Sequence, residues 1–318
     1  MRLVAIVPAY NAGRFLRPAV ESLLTQTAPT HIIVINDGST DGSIETIREF
    51  AATGRIELID RSQNIGKPDS LNQAIDDIIT SDRFDAILLQ DADDISLPTR
   101  VERQVHHVQD LENWGCTASY LRYMAADGRS IGVGKTDILS ADDQSRYLAG
   151  NEPFGLFCPA AMMSVRMLRE TGLRFRKQFW PADDLDMWNR VAEQGWQVRT
   201  LPEELVMYRI HGGSAVTSNF MKTRMQFEFM RACLRARRTQ TTEPTREEFL
   251  EAWHNIPWHH RLNRWRKLLS KELYRTAGFA VAERKYLKAG WALSRSLLLQ
   301  PGYALPRLMA QQGRRIGA

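Results

Sequence analysis

Short apolar runs alternate with amphipathic stretches over the first 95 residues. Residues 3–7 (LVAIV) are an unbroken apolar run of strand length, and residues 31–35 (HIIVI) are a second, rich in β-branched side chains. Residues 56–59 and 86–89 give a third and a fourth. Between them, residues 14–26 set Phe15, Val20, Leu23 and Leu24 at helical spacing, and residues 43–52 and 70–79 also read as helices. Strands separated by helices call for right-handed crossovers and a mostly parallel sheet with helices on its faces.

The pattern then changes twice. From residue 113 to 208 it is less regular, with strands expected at 117–124, 131–134, 160–164 and 198–208 and helices at 141–149 and 184–194. After Ser218 nearly everything reads as helix, broken at Pro244, Pro257 and Pro301. Polar clusters close three of the early strands: Pro8-Ala9-Tyr10-Asn11, Asn36-Asp37-Gly38-Ser39-Thr40-Asp41 and Gln90-Asp91-Ala92-Asp93-Asp94. In a parallel sheet these clusters meet at the carboxyl edge, where open α/β sheets bind ligands.

Charge follows the same division. Residues 1–218 carry 22 Lys and Arg against 30 Asp and Glu, a net −8, whereas residues 219–318 carry 20 against 7, a net +13. The overall +5 hides an acidic first part and a basic last part. The three cysteines, Cys116, Cys158 and Cys233, are scattered and odd in number, so a disulfide framework or thiolate zinc site is not expected. No apolar run approaches the roughly 20 residues of a membrane span, and the start has no signal-peptide pattern. The expected location is the cytoplasm.

Three carboxylates within four positions, Asp91, Asp93 and Asp94, follow an apolar strand, and no Lys or Arg occurs until Arg100. Charges this close raise each other's pKa unless a cation joins them. Asp91 and Asp93 are two apart and point the same way in an extended segment, which suits a hard divalent ion shared with substrate phosphates. Ser96 is the expected cap of the next helix, which leaves the aspartates without a capping role. In the second cluster, Gly38 permits a tight bend and Asp37 stands at the strand tip, placed to accept from a base N–H or a ribose hydroxyl.

VPAYNAGRFLRPAVESLLTQT, INDGSTDGS, NIGKPDSLNQAI and LLQDADDISLPTRVERQ, in that order and spacing, resemble the opening of family-2 glycosyltransferases with the GT-A fold. The likeness covers roughly residues 1–215. It implies a Rossmann-like α/β catalytic domain over 1–217, with a nucleotide-binding half (1–112) and an acceptor-binding half (113–217), followed by a basic helical region over 218–318. It further implies that Pro8, Ala9, Tyr10 and Asn11 line a uridine pocket and that Asp37 binds the base. Lys67 would lie near the base, with Asn72 supporting the nucleotide side. Asp91 and Ala92 would meet the ribose, and Asp93 would hold Mn²⁺ or Mg²⁺. Pro68 directly after Lys67, and Asn36 where many relatives carry Asp, depart from the family pattern.

Trp180-Pro181-Ala182-Asp183-Asp184 precedes a helix whose apolar face is Leu185, Trp188, Val191 and Ala192. A helix N-cap is one reading of the pair. By resemblance, Asp184 is instead the general base on the acceptor hydroxyl, with Asp183 and Trp180 on the acceptor side. His211, before Gly212 and Gly213, resembles a family position that reaches the metal or diphosphate. The activity implied is transfer of a sugar, with inversion, from a nucleotide sugar to a glycan or lipid-linked acceptor in surface polysaccharide or glycolipid assembly. The basic helices over 259–315 mix Arg and Lys with Trp and Leu. They read as a surface for anionic membrane at the inner face or as a helical cap, and not as a nucleic-acid site. The competing functional class is a catalytically inactive nucleotide-sugar-binding protein or a membrane-surface scaffold.

Overall fold

In the computed structural model, which describes residues 1–150, 152–210, 220–282 and 284–316, the early apolar runs become β1 (Leu3–Ala9), β2 (His31–Asp37), β3 (Glu57–Arg61) and β4 (Ala86–Leu89). They lie parallel in the order β3-β2-β1-β4. Between them run α1 (Leu16–Leu24), α2 (Arg48–Ala52) and α3 (Lys67–Ser81). Alternate residues of β1 serve opposite faces. Val4 and Ile6 join Leu71, Ile75 and Ile78 of α3, while Leu3, Ala5 and Val7 join Leu16, Val20 and Leu23 of α1. Both faces are therefore covered, which is why these strands read as unbroken apolar runs.

The sheet is parallel only over this first half. β4 pairs antiparallel with β8 (Ala161–Ser164), which pairs antiparallel with β6 (Trp114–Ala125). β9 (Gln197–Ile210) lies parallel to β6 and carries β5 (Ile95–Ser96) on its other side, while β7 (Ser130–Gly134) folds back on β6. The β6–β7 turn is tight, with Gly128 at φ +86°, so that pair needs no crossover helix. The helices of this half are α4 (Arg100–Val108), α5 (Ala141–Ala149), α6 (Val165–Thr171) and α7 (Asp183–Glu193), and α8 (Phe220–Arg238) follows β9.

Helix starts correct two expectations. Ser96 does not cap α4: Thr99 stands at that position without a side-chain cap, and buried Ser96 instead donates to Gln90. Asp183 does not cap α7 either, because Ala182 is the capping residue and Asp183 is already helical. Pro68 sits in the first turn of α3, where its missing N–H costs no helical bond, so Lys67 keeps its place at the helix start.

The chain divides into two compact units, Met1–Glu243 and Pro244–Ala318, so α8 belongs to the first unit, beyond the boundary expected at residue 217. Charge and aromatic contacts explain this. Arg237 Nε donates to Glu193 (2.7 Å), Arg238 donates to Asn189 Oδ1 (2.8 Å) and to the carbonyls of Tyr147 and Gly150, and the rings of Phe229 and Phe179 meet at 5.2 Å between centroids, tilted by 34°. Part of the basic excess after residue 218 thus points inward. The second unit contains α9 (Arg246–Asn255), α10 (Trp258–Ala282), α11 (Tyr286–Leu299) and α12 (Pro301–Ile316). Small buried residues, Ala277, Ala280, Ala289 and Ala292, let α10 and α11 approach. Ser270 and Ser296 exchange hydrogen bonds between them through hydroxyls and carbonyls, at 2.9 and 2.7 Å. None of the helices, over the described residues, is long and apolar enough to cross a membrane. All three cysteines are buried and free.

Candidate active site

The tips of β1 and β2 lie side by side, with Pro8 opposite Ile35 and Ala9 opposite Asn36. Polar side chains then lock the two loops together. Asn11, at φ 49°, accepts from Thr40 N–H (2.8 Å), and its own N–H donates to Ser39 Oγ (3.1 Å). Tyr10, just past the end of β1, is 54% exposed. Gly38 is required by contact as well as by conformation. A Cβ there would lie 2.8 Å from Asn64 N, and its φ is +76°.

Two residues expected to contact the nucleotide are occupied elsewhere. Both oxygens of Asp37, which is 3% exposed, accept backbone N–H groups, from Ile65 (3.0 Å) and Gly66 (2.9 Å). That carboxylate shapes the loop before α3 rather than standing open to a base. Asn72 exchanges both amide bonds with the backbone of Phe175, at 2.8 and 2.9 Å, and so clamps α3 to the segment leading to Trp180.

The acidic residues after β4 do converge. Oxygens of Asp91, Asp93 and Asp94 all lie within 4.8 Å of one another. Asp94 is wholly buried; one oxygen accepts from Arg209 N–H (2.8 Å), and the other has no hydrogen-bond partner among the described residues. Burial, then the charges of Asp93 and Asp91, push its carboxyl well above the usual range. Hard oxygen donors at this spacing, one of them buried and unsatisfied, fit a divalent cation such as Mg²⁺ or Mn²⁺. Lys67 is ion-paired to Asp91, the expected ribose carboxylate, rather than placed at the base, and its ammonium lies 6.0 Å from the Trp180 ring centroid.

Arg100, Arg209 and Tyr208 also serve this cluster, and sequence reasoning missed all three. Arg100 is fully buried and donates to Leu89 O (2.9 Å) just ahead of the acidic run, while burial draws its pKa down to about 9. A cation in the first turn of a helix opposes the helix dipole, and that was the available signal. Arg209 Nε donates to Asp93 O (2.9 Å), and its guanidinium lies over Phe15. The Tyr208 phenol is pushed up by burial and by all three aspartates.

Within electrostatic reach of the same lysine, α7 presents the second acidic pair. Asp183 is buried, and Asp184 is more open, accepting from Leu185 N–H at 2.7 Å. Burial raises both carboxyls; the charge of Asp184 adds to the rise in Asp183, and Lys67 opposes it in both. Asp184 also feels Asp91. Lys67 therefore lies electrostatically between the cluster after β4 and the start of α7. Trp180 is partly exposed beside them. His211 lies outside the described residues.

A family model described as "Glycosyl transferase family 2" matches residues 4–171, more than half the chain. The chain belongs to glycosyl transferase family 2. This bears out the family expected from the strand-end motifs. An uncharacterized glycosyltransferase of Haemophilus influenzae is 30% identical over 220 residues, 65% of each chain. The chain thus spans just under two thirds of that relative's length. WfaP of Escherichia coli, named a UDP-Glc:alpha-D-GlcNAc-diphosphoundecaprenol beta-1,3-glucosyltransferase, is 27% identical over 223 residues, 69% of this chain and 82% of its own. Among solved structures, the mannosyltransferase PcManGT of Pyrobaculum calidifontis, in complex with GDP-Man and Mn²⁺, superposes with a TM-score of 0.56 at 17% identity, covering 96% of this chain and 80% of its own. That similarity supports the GT-A fold expected for a family-2 chain.

Proposed function

We propose that this family-2 chain transfers a sugar from a nucleotide sugar, most simply a UDP-sugar, to an acceptor hydroxyl with inversion at the anomeric carbon. The observation that carries the reading is the placement of Lys67 between two acidic groups, the carboxylates after β4 and the pair opening α7. One cleft then holds a cation-binding group and a proton acceptor.

In this reading, Tyr10 gives the base a ring to rest on, flanked by the backbone of Pro8, Ala9 and Asn11. Asp91 and Ala92 meet the ribose. Asp93 holds Mn²⁺ or Mg²⁺, with Asp94 beside it, and the bound ion would neutralise charge on the departing diphosphate. Asp184 takes the proton of the acceptor hydroxyl as that oxygen bonds to the anomeric carbon. The bond from that carbon to the diphosphate oxygen breaks, and the nucleoside diphosphate leaves with the electron pair. The raised pKa of Asp184 suits a base working near neutrality. Trp180 and Asp183 lie on the acceptor side.

The name of WfaP, with its diphosphoundecaprenol acceptor, supports a lipid-linked acceptor in surface polysaccharide or glycolipid assembly at the cytoplasmic face of a membrane. The Mn²⁺ named with PcManGT supports the cation. The test is calorimetric titration of UDP, with and without Mn²⁺, into wild type and Asp93→Ala. The expected result is UDP binding that needs Mn²⁺ and disappears in the variant. Failure of the folded wild type to bind any nucleoside diphosphate would overturn the reading.

A further inference from the structure

The second unit carries an apolar surface that nothing in the first unit's chemistry requires. On α11, Leu287 (94%), Trp291 (54%) and Leu298 (82%) are exposed at i, i+4 and i+11, along one stripe of the helix. The buried residues Ala289, Ala292 and Ser296, which face α10, lie on the opposite side. The stripe is therefore not an edge of the helical core. A leucine so exposed forgoes the gain of burial, and three large apolar side chains on one face mark a place that something covers.

The flank of the stripe indicates what covers it. Lys288 and Arg295 are exposed and, seven positions apart, fall side by side along the stripe, and Arg284 is exposed in the turn just before the helix. The Arg295 guanidinium lies 4.1 Å from the Trp291 ring centroid, and α11 contains no Asp or Glu. The N-terminal part of α10 repeats the pattern, with Trp258, Leu262 and Leu269 exposed at the same spacing and four Arg or Lys between residues 261 and 267. A second copy of this chain would set these cations against each other, whereas an anionic lipid surface attracts them. With 14 residues, α11 is about 21 Å long, too short to span a bilayer and suited to lying in its surface.

We infer that the α10–α11 hairpin is a docking surface for an anionic membrane, with the Leu287–Trp291–Leu298 stripe inserted at the acyl boundary and Lys288 and Arg295 on lipid phosphates. Its physical basis is the surface of the second unit alone. Its functional sense rests on the sugar-transfer reading, because a lipid-linked acceptor is met only at such a surface.

The test is flotation of the full chain with vesicles of phosphatidylcholine, alone or mixed with phosphatidylglycerol, and UDP–Mn²⁺ titration of the same preparations as a folding control. Wild type should float with the mixed vesicles only. Lys288→Gln with Arg295→Gln should weaken this roughly 30-fold, and Leu287→Ser with Leu298→Ser on the order of 100-fold or more. UDP binding should remain unchanged in both variants. Absence of flotation, or flotation that survives both variants, would overturn the proposal. So would self-association of wild type that the leucine variant abolishes, since a second copy would then occupy the stripe. Each of these with UDP binding intact leaves the catalytic reading standing. Flotation without nucleotide binding would overturn that reading and not this one.

Discussion

Asp186 stands one helical step from Asp183 and Asp184 on α7, yet the two regions treat buried charge in opposite ways. Asp186 is fully buried and accepts from Arg176, and from Arg190 Nε at 2.8 Å, with Arg237 at 3.5 Å. Glu193 and Glu243 complete a seam in which the carboxylates are surrounded by guanidinium groups. Asp183 and Asp184 have no ion pair among the described residues, and Asp94 across the cleft keeps an oxygen without a partner. A buried charge without a partner is costly, and its fully paired neighbour shows that this chain supplies partners where they serve only the fold. The difference separates a structural seam from the cleft to which cation binding and sugar transfer are assigned by the proposal above.

The largest effect should come from the cleft. Asp184→Asn keeps the shape of the side chain and removes the proposed proton acceptor. Transfer should fall about 10²–10⁴-fold while Mn²⁺-dependent UDP binding persists. In that role Asp184 should set the acid limb of wild type, because burial pushes its carboxyl up to about 6. Below that pH the group is protonated and cannot accept, so kcat/KM should fall about tenfold per pH unit. A limb at ordinary carboxylate pH would remove Asp184 from the role.

The seam should answer in stability instead. Asp186→Asn leaves Arg176, Arg190 and Arg237 facing a neutral amide, at a cost of about 3–5 kcal/mol, read as a lowered Tm. Asp183→Asn should do the reverse. The folded chain holds the Asp183 proton more tightly than the unfolded chain, because burial raises that carboxyl. The group's contribution to stability is thus full below the ordinary carboxyl pKa and is lost as pH rises through the raised one. The variant should gain a few degrees of Tm near pH 8 and nothing near pH 4. Equal losses in both variants would erase the distinction between seam and cleft.

The sequence made the cleft more legible than the seam, for physical reasons. β1, β2 and β4 announce themselves because strands covered on both faces must be apolar throughout, and their polar ends could only fall at one sheet edge. The acidic run after β4 was visible because its members are adjacent in the chain. The seam joins residues from 176 to 243, so Arg237 and Arg238 read as part of a basic surface until α8 was found against Glu193 and Asn189. Asp37 and Asn72 show the limit of motif reading. The residue types stand where the family pattern puts them, but both side chains are taken up by backbone partners that lie 28 and 103 residues away.

Lys67 provides the smallest and most discriminating test, because it is the cation that acts on both sides of the cleft. It is ion-paired to Asp91, and its charge lowers the pKa of Asp183 and Asp184 against the rise that burial imposes. Removing that charge leaves only backbone N–H groups, chiefly that of Leu185, to oppose the burial of Asp184. Lys67→Gln should therefore move the acid limb of kcat/KM upward, by a fraction of a pH unit to about one unit, given the solvent that reaches the cleft. Lys67→Arg keeps the charge and should leave the limb in place. A merely structural Lys67 would lower kcat or raise KM without moving the limb, and the cleft would then be two separate acidic sites rather than one electrostatic unit.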